Sequence, residues 1–177
     1  MTSPRPGGRR LVLLRHAKAE AGTVAGDALR PLALAGRAQC VTVGAALAAA
    51  GHVPELVLVS SAVRTRQTWD LVRGSLRGSP EPDVVITDDL YDAGVSELVD
   101  LLRGVDGRVA TVLVVGHEPT MSAAAATLAR PGSGSERALA SARAGLPTAG
   151  FAVLDVADWA TLEPASAVLL DAVRPPA

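Results

Sequence analysis

Short apolar stretches recur along the chain, and their spacing predicts the order of its secondary-structure elements. Each stretch is only a few residues long and consists mainly of valine and leucine. The first four lack the alternation of polar and apolar residues, a pattern typical of strands buried on both faces of a sheet. The predicted strands are Leu11–Leu14, Leu56–Val59, Val84–Ile86, Thr111–Val115, Phe151–Val156 and Ala167–Leu170.

The longer segments between these stretches carry apolar residues at helical spacing. Gly51 is placed to end the first helix, and Pro119 suits the first position of the last one. Because strands and helices alternate, we expect an α/β fold with a largely parallel central sheet. The predicted helices are Leu34–Ala50, Arg64–Leu76, Ser96–Arg103 and Pro119–Leu128.

Two features near the end of the chain refine this prediction. Residues Arg130–Arg143 are rich in glycine and serine, which predicts a mobile loop. No helix clearly separates the last two predicted strands, so we expect the sheet to end with an antiparallel member.

A length of 177 residues suits a single domain, which we expect to span residues 1–177.

Composition and charge exclude several classes of protein. With 49% hydrophobic but only 2% aromatic residues, the core must consist of leucine, valine and alanine. Seventeen basic and eighteen acidic residues argue against a general nucleic-acid binder. The apolar stretches are too short for a membrane span or a signal peptide, and Cys40, the one cysteine, has no partner for an internal disulfide. We therefore expect a cytoplasmic protein that binds neither nucleic acid nor membrane; the sequence indicates no oligomeric state.

Candidate chemistry follows three of the predicted strands. Arg15 and His16 come directly after the first strand, Ser60 and Arg64 after the second, and His117 after the fourth. Ligand sites in open parallel sheets form beyond the carboxyl ends of the strands. Although each residue alone has a structural explanation, three strand ends that supply arginine and histidine together predict one site.

The position of Arg64 is the second indication. Ser60 or Ser61 is a candidate N-cap of the following helix, which places Arg64 and Arg66 in or near its first turn. A cation there opposes the helix dipole unless an anion is bound as well. Helix N-termini themselves bind anions, so Arg64 and the free backbone N–H groups predict a phosphate or sulfate pocket.

Phosphoryl transfer fits these residue types. Arg15, Arg64 and His117 would supply the positive charge around the phosphoryl oxygens, and His16 the nucleophile that forms a phosphohistidine intermediate. Flanking cations would lower the pKa of His16 and keep its ring neutral near pH 7. A hydrogen bond from one ring nitrogen to a backbone carbonyl would fix the tautomer.

A metal site is the competing use of two histidines. Zinc would need further carboxylates, for which Asp27, Asp92 and Glu118 are available, but the arginines would repel a divalent cation. No phosphate-loop or dinucleotide-binding glycine motif occurs. We therefore expect no metal and no cofactor. His52 follows Gly51 at a helix end, where it can bond terminal carbonyls, and we assign it no catalytic role.

The ordered set of Arg15-His16, Arg64 within SSAVRTRQT and His117 within VVGHEP resembles the histidine phosphatase superfamily over about residues 11–174. That resemblance implies a phosphoglycerate mutase-like fold, with three α/β/α layers around a mostly parallel sheet. The segments DALRPL, LYDA and PTAGFAVL, and the lack of large insertions, are similar to SixA-type protein-phosphohistidine phosphatases. Ala17 replaces the glycine usual after the first motif.

The resemblance also implies roles for individual residues. His16 would be the nucleophile, with Arg15, Arg64 and His117 around the phosphoryl group. Arg30 would be a further phosphate contact or, equally well, a surface charge. Ser60 would bond a strand-end group or cap the helix, with capping preferred.

The candidate substrates differ in whether their cleavage needs a general acid. Asp92 lies close to where many relatives carry their acid, although a turn residue is the preferred interpretation. A protonated imidazole leaves more readily than an alkoxide, so a site without an acid suits phosphohistidine. The leading prediction is a metal-independent phosphatase acting on a phosphorylated protein. The alternatives are a phosphatase for a small phosphomonoester, with Asp92 as acid, and a non-catalytic phosphate- or phosphoprotein-binding module.

Overall fold

The computed structural model describes residues 8–22, 26–76 and 78–175, which form six strands and five α-helices. Their order confirms the predicted alternation of strands and helices. The strands are β1 (Arg9–Arg15), β2 (Leu56–Ser60), β3 (Asp83–Thr87), β4 (Thr111–Gly116), β5 (Phe151–Val156) and β6 (Val168–Val173). The helices are α1 (Leu34–Ala49), α2 (Val63–Val72), α3 (Val95–Arg103), α4 (Thr120–Leu128) and α5 (Glu136–Arg143).

All six strands form one sheet in the order β3-β2-β4-β1-β5-β6. The four strands β3, β2, β4 and β1 are parallel, β5 is antiparallel to β1, and β6 is antiparallel to β5. This arrangement confirms both the largely parallel sheet and the antiparallel member near its end. Because β1, β2 and β4 are parallel neighbours, their carboxyl ends meet at the same edge.

Helices cover both faces of the sheet and give it the expected three layers. Leu11 and Leu13 pack toward α3, α4 and α5, whereas Val12 and Leu14 pack toward α1 and α2. Side chains of this size contribute about 2 kcal/mol each when they are fully buried. The central strands are thus anchored on both sides, which fixes the position of their ends. Within the described ranges, no helix combines the length and apolarity that crossing a membrane requires.

The third predicted strand is not buried on both faces. Val84, Val85 and Ile86 are 42%, 47% and 52% exposed. Strand β3 lies at the edge of the sheet, where it pairs with β2 alone among the described strands. An apolar run without alternation therefore identified the strand correctly but gave the wrong burial.

The prediction of a loop over residues 130–143 was wrong for its second half, which forms α5. The Ser135 hydroxyl accepts a hydrogen bond from the backbone N–H of Ala138 and caps this helix. Ala138 and Ala142 are buried in the core, and Arg143 lies in the last turn, where the helix dipole favours a cation. Ser135 is thus the N-cap of a helix, although the composition around it suggested a glycine- and serine-rich loop.

Helix ends agree with the prediction to within one residue except at α2. Gly51 has a φ of 70° and ends α1, with the backbone N–H of His52 bonded to the carbonyl of Leu47 at 2.9 Å. Pro119 is the N-cap of α4 rather than its first residue. The predicted second helix ends early, at Val72, and continues as a 3-10 turn over Arg73–Leu76.

The segment that follows β1 is held tightly against α1. Gly36 packs on the Lys18 carbonyl so closely that a Cβ at this position would overlap the oxygen. That oxygen accepts from the backbone N–H of Ala33 at 2.9 Å, and the backbone N–H of Lys18 donates to Gln39 Oε1 at 3.0 Å. The backbone just after β1 is therefore fixed. This also fixes the position of Arg15, the last residue of β1, and of His16, which follows it.

Candidate active site

The carboxyl ends of β1 and β4 bring two histidines together. Arg15 pairs with Gly116 in the parallel register, so His16 and His117 both come directly after this pair. The backbone N–H of His16 donates to the carbonyl of Gly116 at 3.0 Å. The two imidazole rings lie with their centroids 5.4 Å apart. The structure thus brings these predicted site residues into one place.

His16 is held in a defined orientation and protonation state. Its Nδ1 lies 2.8 Å from the carbonyl oxygen of Ala17, which can only accept, so Nδ1 carries the proton and Nε2 the lone pair. This contact confirms the predicted bond between the ring and a backbone carbonyl. The pKa of His16 is lowered to about 4, chiefly by burial; His117, Arg64 and Arg15 add smaller contributions of the same sign. The predicted direction is confirmed, although burial outweighs the cations.

Arg64 is the second residue of α2 and thus lies in the first turn, as predicted, and it is only 5% exposed. Its NH1 donates to the Asp27 carbonyl at 2.8 Å, and its NH2 donates to Asp27 Oδ2 at 2.9 Å. NH2 also lies 3.3 Å from His117 Nδ1. Arg66, in the same turn, is exposed to solvent. Of the two arginines at this helix end, only Arg64 belongs to the site.

Ser60 contacts the second histidine and does not cap α2. The N-cap of that helix is Ala62, without a side-chain hydrogen bond, so the preferred capping interpretation was wrong for both serines. Ser60 is the last residue of β2, and its Oγ lies 2.7 Å from His117 Nε2. Since the Arg64 guanidinium can only donate to Nδ1, the neutral ring donates from Nε2 to Ser60. Burial, reinforced by Arg64, lowers the pKa of His117 to about 4.

Two buried arginine nitrogens at the site have unused donors. Arg15 donates from NH1 to the Leu146 carbonyl at 2.7 Å. The Nε–H groups of Arg15 and Arg64 are both buried, and neither has a hydrogen-bond partner within the described residues. Buried donors are rarely left unpaired, and guanidinium groups pair well with oxyanions. The site is therefore suited to an anion with several acceptor oxygens.

Asp27 and Tyr91 also belong to the site; from the sequence, Asp27 was considered only as a possible metal ligand, and Tyr91 was not predicted as a site residue. Asp27 Oδ1 accepts from Arg30 Nε at 2.8 Å, and its Oδ2 accepts from the Tyr91 hydroxyl at 2.7 Å as well as from Arg64. The Tyr91 and His117 rings are nearly perpendicular, with an interplanar angle of 81° and a centroid distance of 5.5 Å. The hydrogen bond from Tyr91, the hydrogen bond and charge of Arg64, and the hydrogen bond from Arg30 lower the pKa of Asp27 to about 2.

The two remaining candidates are placed differently. Arg30 is engaged by Asp27 and by the Glu20 carbonyl, to which its NH1 donates at 2.9 Å. It is linked to Arg64 through Asp27, and its direct contact with phosphate stays a prediction. Asp92 is exposed in the turn between Tyr91 and α3, and within the described residues its carboxylate makes no hydrogen bond to the site. This position agrees with the preferred interpretation of Asp92 as a turn residue, and its alternative role as an acid is not tested by the structure.

The two neutral imidazoles should make the folded protein sensitive to mild acid. In an unfolded chain the pKa of histidine is about 6.5, whereas both rings have a pKa of about 4 in the folded protein. As the pH falls from about 6.5 towards 4, the unfolded chain binds protons first. The free energy of unfolding should therefore be highest above this window and decrease within it. Urea unfolding at pH 7 and at pH 4.5 measures the difference.

A double variant supplies the control for this prediction. His16→Asn/His117→Asn should lose less stability between pH 7 and pH 4.5 than the parent, since the two depressed imidazoles are gone. His52, whose pKa burial also lowers, stays in place in both proteins. The pH of 4.5 lies above the window, from about 3.8 down to about 2, in which protonation of Asp27 changes the stability, and Asp27 is present in both proteins. An equal loss in both proteins would show that the site histidines are not the cause.

The chain is similar in sequence and in structure to several known proteins. No family model matches the chain. An uncharacterised Mycobacterium tuberculosis protein, Rv1276c, is 38% identical over 159 residues, which covers 89% of this chain and 96% of that protein. A Nakamurella multipartitia protein assigned as the phosphohistidine phosphatase SixA is 36% identical, with a TM-score of 0.81 and coverage of 97% and 98%. Its counterpart from Agrobacterium tumefaciens is 32% identical, with a TM-score of 0.76 and coverage of 94% and 98%.

The fold, the paired histidines and these similarities together define the class of protein. The chain belongs to the histidine phosphatase superfamily, whose phosphoglycerate mutase-like architecture its six-stranded sheet shares. Both solved structures are of SixA-type members, with which it aligns over nearly its full length, and this places the chain in the SixA-type group.

Proposed function

We propose that this protein is a metal-independent phosphatase that removes the phosphoryl group from phosphohistidine in a protein. The observation that carries this proposal is the neutral His16 ring, held through Nδ1 by the Ala17 carbonyl, beside Arg15, Arg64 and His117. The names given to the Nakamurella and Agrobacterium relatives support the same substrate class. We further propose that the activity is cytoplasmic and that residues 1–177 act as one domain, as the sequence predicts.

The first chemical step transfers the phosphoryl group to the enzyme. The Nε2 lone pair of His16 attacks phosphorus, and the bond between phosphorus and the substrate imidazole breaks. The substrate ring, already protonated on its other nitrogen, departs as a neutral imidazole. The guanidinium groups of Arg15 and Arg64 stabilise the charge on the phosphoryl oxygens. His117 is fixed beside the nucleophile by Ser60 and Arg64.

The second step returns the enzyme to its starting state. Water attacks the phosphorus of phospho-His16, the bond from phosphorus to Nε2 breaks, and inorganic phosphate is released. The electron pair returns to Nε2, and Nδ1 keeps its proton through the bond to the Ala17 carbonyl. The same contact thus serves both steps, because it sets which nitrogen is free to react.

The leaving group favours phosphohistidine over a phosphomonoester. An alkoxide needs a proton from a general acid as the bond breaks, whereas an imidazole protonated on its second nitrogen does not. Asp92, the candidate acid of the alternative interpretation, is exposed, and within the described residues it has no hydrogen bond to the site that would fix it next to a leaving oxygen. A site of this kind is better matched to cleavage of a P–N bond.

Turnover and substrate preference test the proposal directly. We expect release of phosphate from p-nitrophenyl phosphate, unchanged by EDTA, and a higher kcat/KM for a phosphohistidine-bearing protein than for sugar or glycerol phosphates. Asp92→Asn should leave turnover of the phosphohistidine protein unchanged, as should Asp100→Asn, an exposed control paired with Arg103. Preference for the small phosphate esters, together with a collapse of activity in Asp92→Asn alone, would favour the phosphomonoester phosphatase. Phosphate binding without any turnover would favour a binding module.

A further inference from the structure

The Asp27 carboxylate binds two arginines and the chain's one tyrosine at the site. Arg64, whose side chain is 7% exposed, directs both terminal nitrogens to Asp27, one to the carbonyl and one to the carboxylate. Arg30 and Tyr91 donate to the same carboxylate at 2.8 Å and 2.7 Å. Asp27 itself is half exposed, with 53% of its side chain accessible. A charge in this position acts both on the arginines and on any anion they bind.

The orientation of Arg64 depends on Asp27. The donors of a guanidinium group have a fixed planar geometry. Both terminal nitrogens of Arg64 donate to Asp27, NH1 to its backbone carbonyl and NH2 to its Oδ2. The remaining Nε–H is the donor without a partner in the described residues. Without the carboxylate of Asp27, Arg64 NH2 would keep only its contact with His117 Nδ1 among the described residues. Small displacements of a group that contacts the transition state are costly to the rate.

Asp27 also places a negative charge next to the anion site. Its Oδ2 is 2.9 Å from Arg64 NH2, the same nitrogen that lies 3.3 Å from His117. A phosphate ion bound by Arg64 would therefore share its arginine with a carboxylate and be repelled by it. Inorganic phosphate is the product of the proposed reaction, and a site built only from cations would retain it.

We propose that Asp27 is a positioning residue with two effects: it aligns Arg64 for phosphoryl transfer and weakens the binding of product phosphate. The inference rests on the proposed function and adds a means of product release to it. The two effects have opposite signs in a variant without the charge. Removal of the carboxylate should slow the chemical step while phosphate binds more tightly.

Asp27→Asn is the variant that separates this role from a merely structural one, because asparagine keeps the size and one acceptor oxygen. We expect the rate constant of phosphoryl transfer in single-turnover measurements to fall by about tenfold. The inhibition constant for inorganic phosphate should also decrease, by roughly tenfold, as the neighbouring negative charge is lost. Asp106→Asn is the matched control: this carboxylate is also paired with an arginine, Arg108, but precedes β4 at the opposite edge of the sheet. The control should change neither constant.

Tyr91→Phe tests the charge separately from the hydrogen bond. It removes one donor to Asp27 but keeps the carboxylate, so kcat should decrease while the inhibition constant for phosphate does not. Asp27→Glu retains the charge and should recover the weak phosphate binding of the parent. If Asp27→Asn weakened phosphate binding along with kcat, Asp27 would be a structural residue only. If it behaved like Asp106→Asn, the carboxylate would be a surface charge; either result overturns the inference.

Calorimetric titration with inorganic phosphate separates failure of this inference from failure of the proposed function. A parent protein that neither binds phosphate nor releases it from p-nitrophenyl phosphate would contradict the proposed function itself. A parent that is active and binds phosphate, with an Asp27→Asn variant of unchanged or weaker affinity, would contradict the role of Asp27 alone.

Discussion

Replacing His16 by asparagine is expected to reduce turnover by at least about a thousandfold, the scale of loss seen when a covalent nucleophile is removed. Asparagine keeps a polar side chain of similar reach and can still donate to the Ala17 carbonyl, but its amide nitrogen has no lone pair available for attack. The loss should therefore appear in kcat rather than in phosphate affinity. Initial rates with p-nitrophenyl phosphate and with a phosphohistidine protein provide the measurement.

A covalent label gives a second readout of the same variant. Brief incubation with radiolabelled phosphohistidine protein, followed by denaturation, should leave label on the parent that is stable in alkali and released by acid, as expected for phosphohistidine. His16→Asn should carry none. His52→Asn is the matched control, since His52 lies at the end of α1 and away from the site residues. Full activity in His16→Asn, or loss of activity in His52→Asn of equal size, would contradict the assignment of the nucleophile.

The strands and helices that could be predicted from the sequence are those whose local pattern of apolar residues matches their burial in the fold. The apolar runs of β1 and β4 lack polar residues because both strands are buried between helix layers, so local pattern and tertiary position gave the same signal. Strand β3 has the same pattern but lies at the edge, and nothing in its own residues distinguishes an edge from the centre. Residues 136–143 were missed because Ser135 and its glycine neighbours dominated the local composition.

The candidate site divides in a similar way. The proximity of Arg15, His16, Arg64 and His117 could be predicted because each lies at or shortly after the carboxyl end of a strand, and parallel strand ends share one edge of a sheet. Asp27 and Tyr91 meet across 64 residues of sequence, and Asp27 meets Arg64 across 37. Such contacts depend on the path of the segment after β1, which no local pattern specifies. The segment DALRPL, which contains Asp27 and Arg30, could be identified from its resemblance to a family motif, but the sequence did not predict the contacts of Asp27.

The early position of Arg64 in α2 shows how a local conflict can point to a site. A cation in the first turn of a helix is unfavourable, and from the sequence this predicted a bound anion. In the structure Asp27 supplies an anionic partner from within the chain. The conflict at the helix end is therefore reduced in the free protein, and the buried guanidinium is held in one orientation. In the proposed mechanism this arrangement also implies repulsion between Asp27 and the phosphoryl group.

Replacing Arg64 by alanine is expected to lower kcat by about a thousandfold, because an arginine that stabilises phosphoryl transfer contributes on that scale. Competitive inhibition by phosphate and by vanadate should weaken strongly as well, which distinguishes this variant from Asp27→Asn. Arg66→Ala is the matched control: it removes an exposed arginine from the same helical turn and should leave kcat and both inhibition constants unchanged. Rates and inhibition constants for the three proteins at one ionic strength provide the measurement.

Arg64→Lys tests whether charge alone is sufficient. Lysine keeps the positive charge but has no planar fork, so it cannot bond the Asp27 carbonyl, the Asp27 carboxylate and an oxyanion in the geometry of Arg64. We expect it to recover part of the phosphate affinity and little of kcat, since the transition state depends on orientation more than on net charge. Thermal unfolding of each variant shows whether the buried site still folds. Full recovery by lysine, or an inhibition constant for vanadate that Arg64→Ala leaves unchanged, would return Arg64 to the role of a structural ion pair.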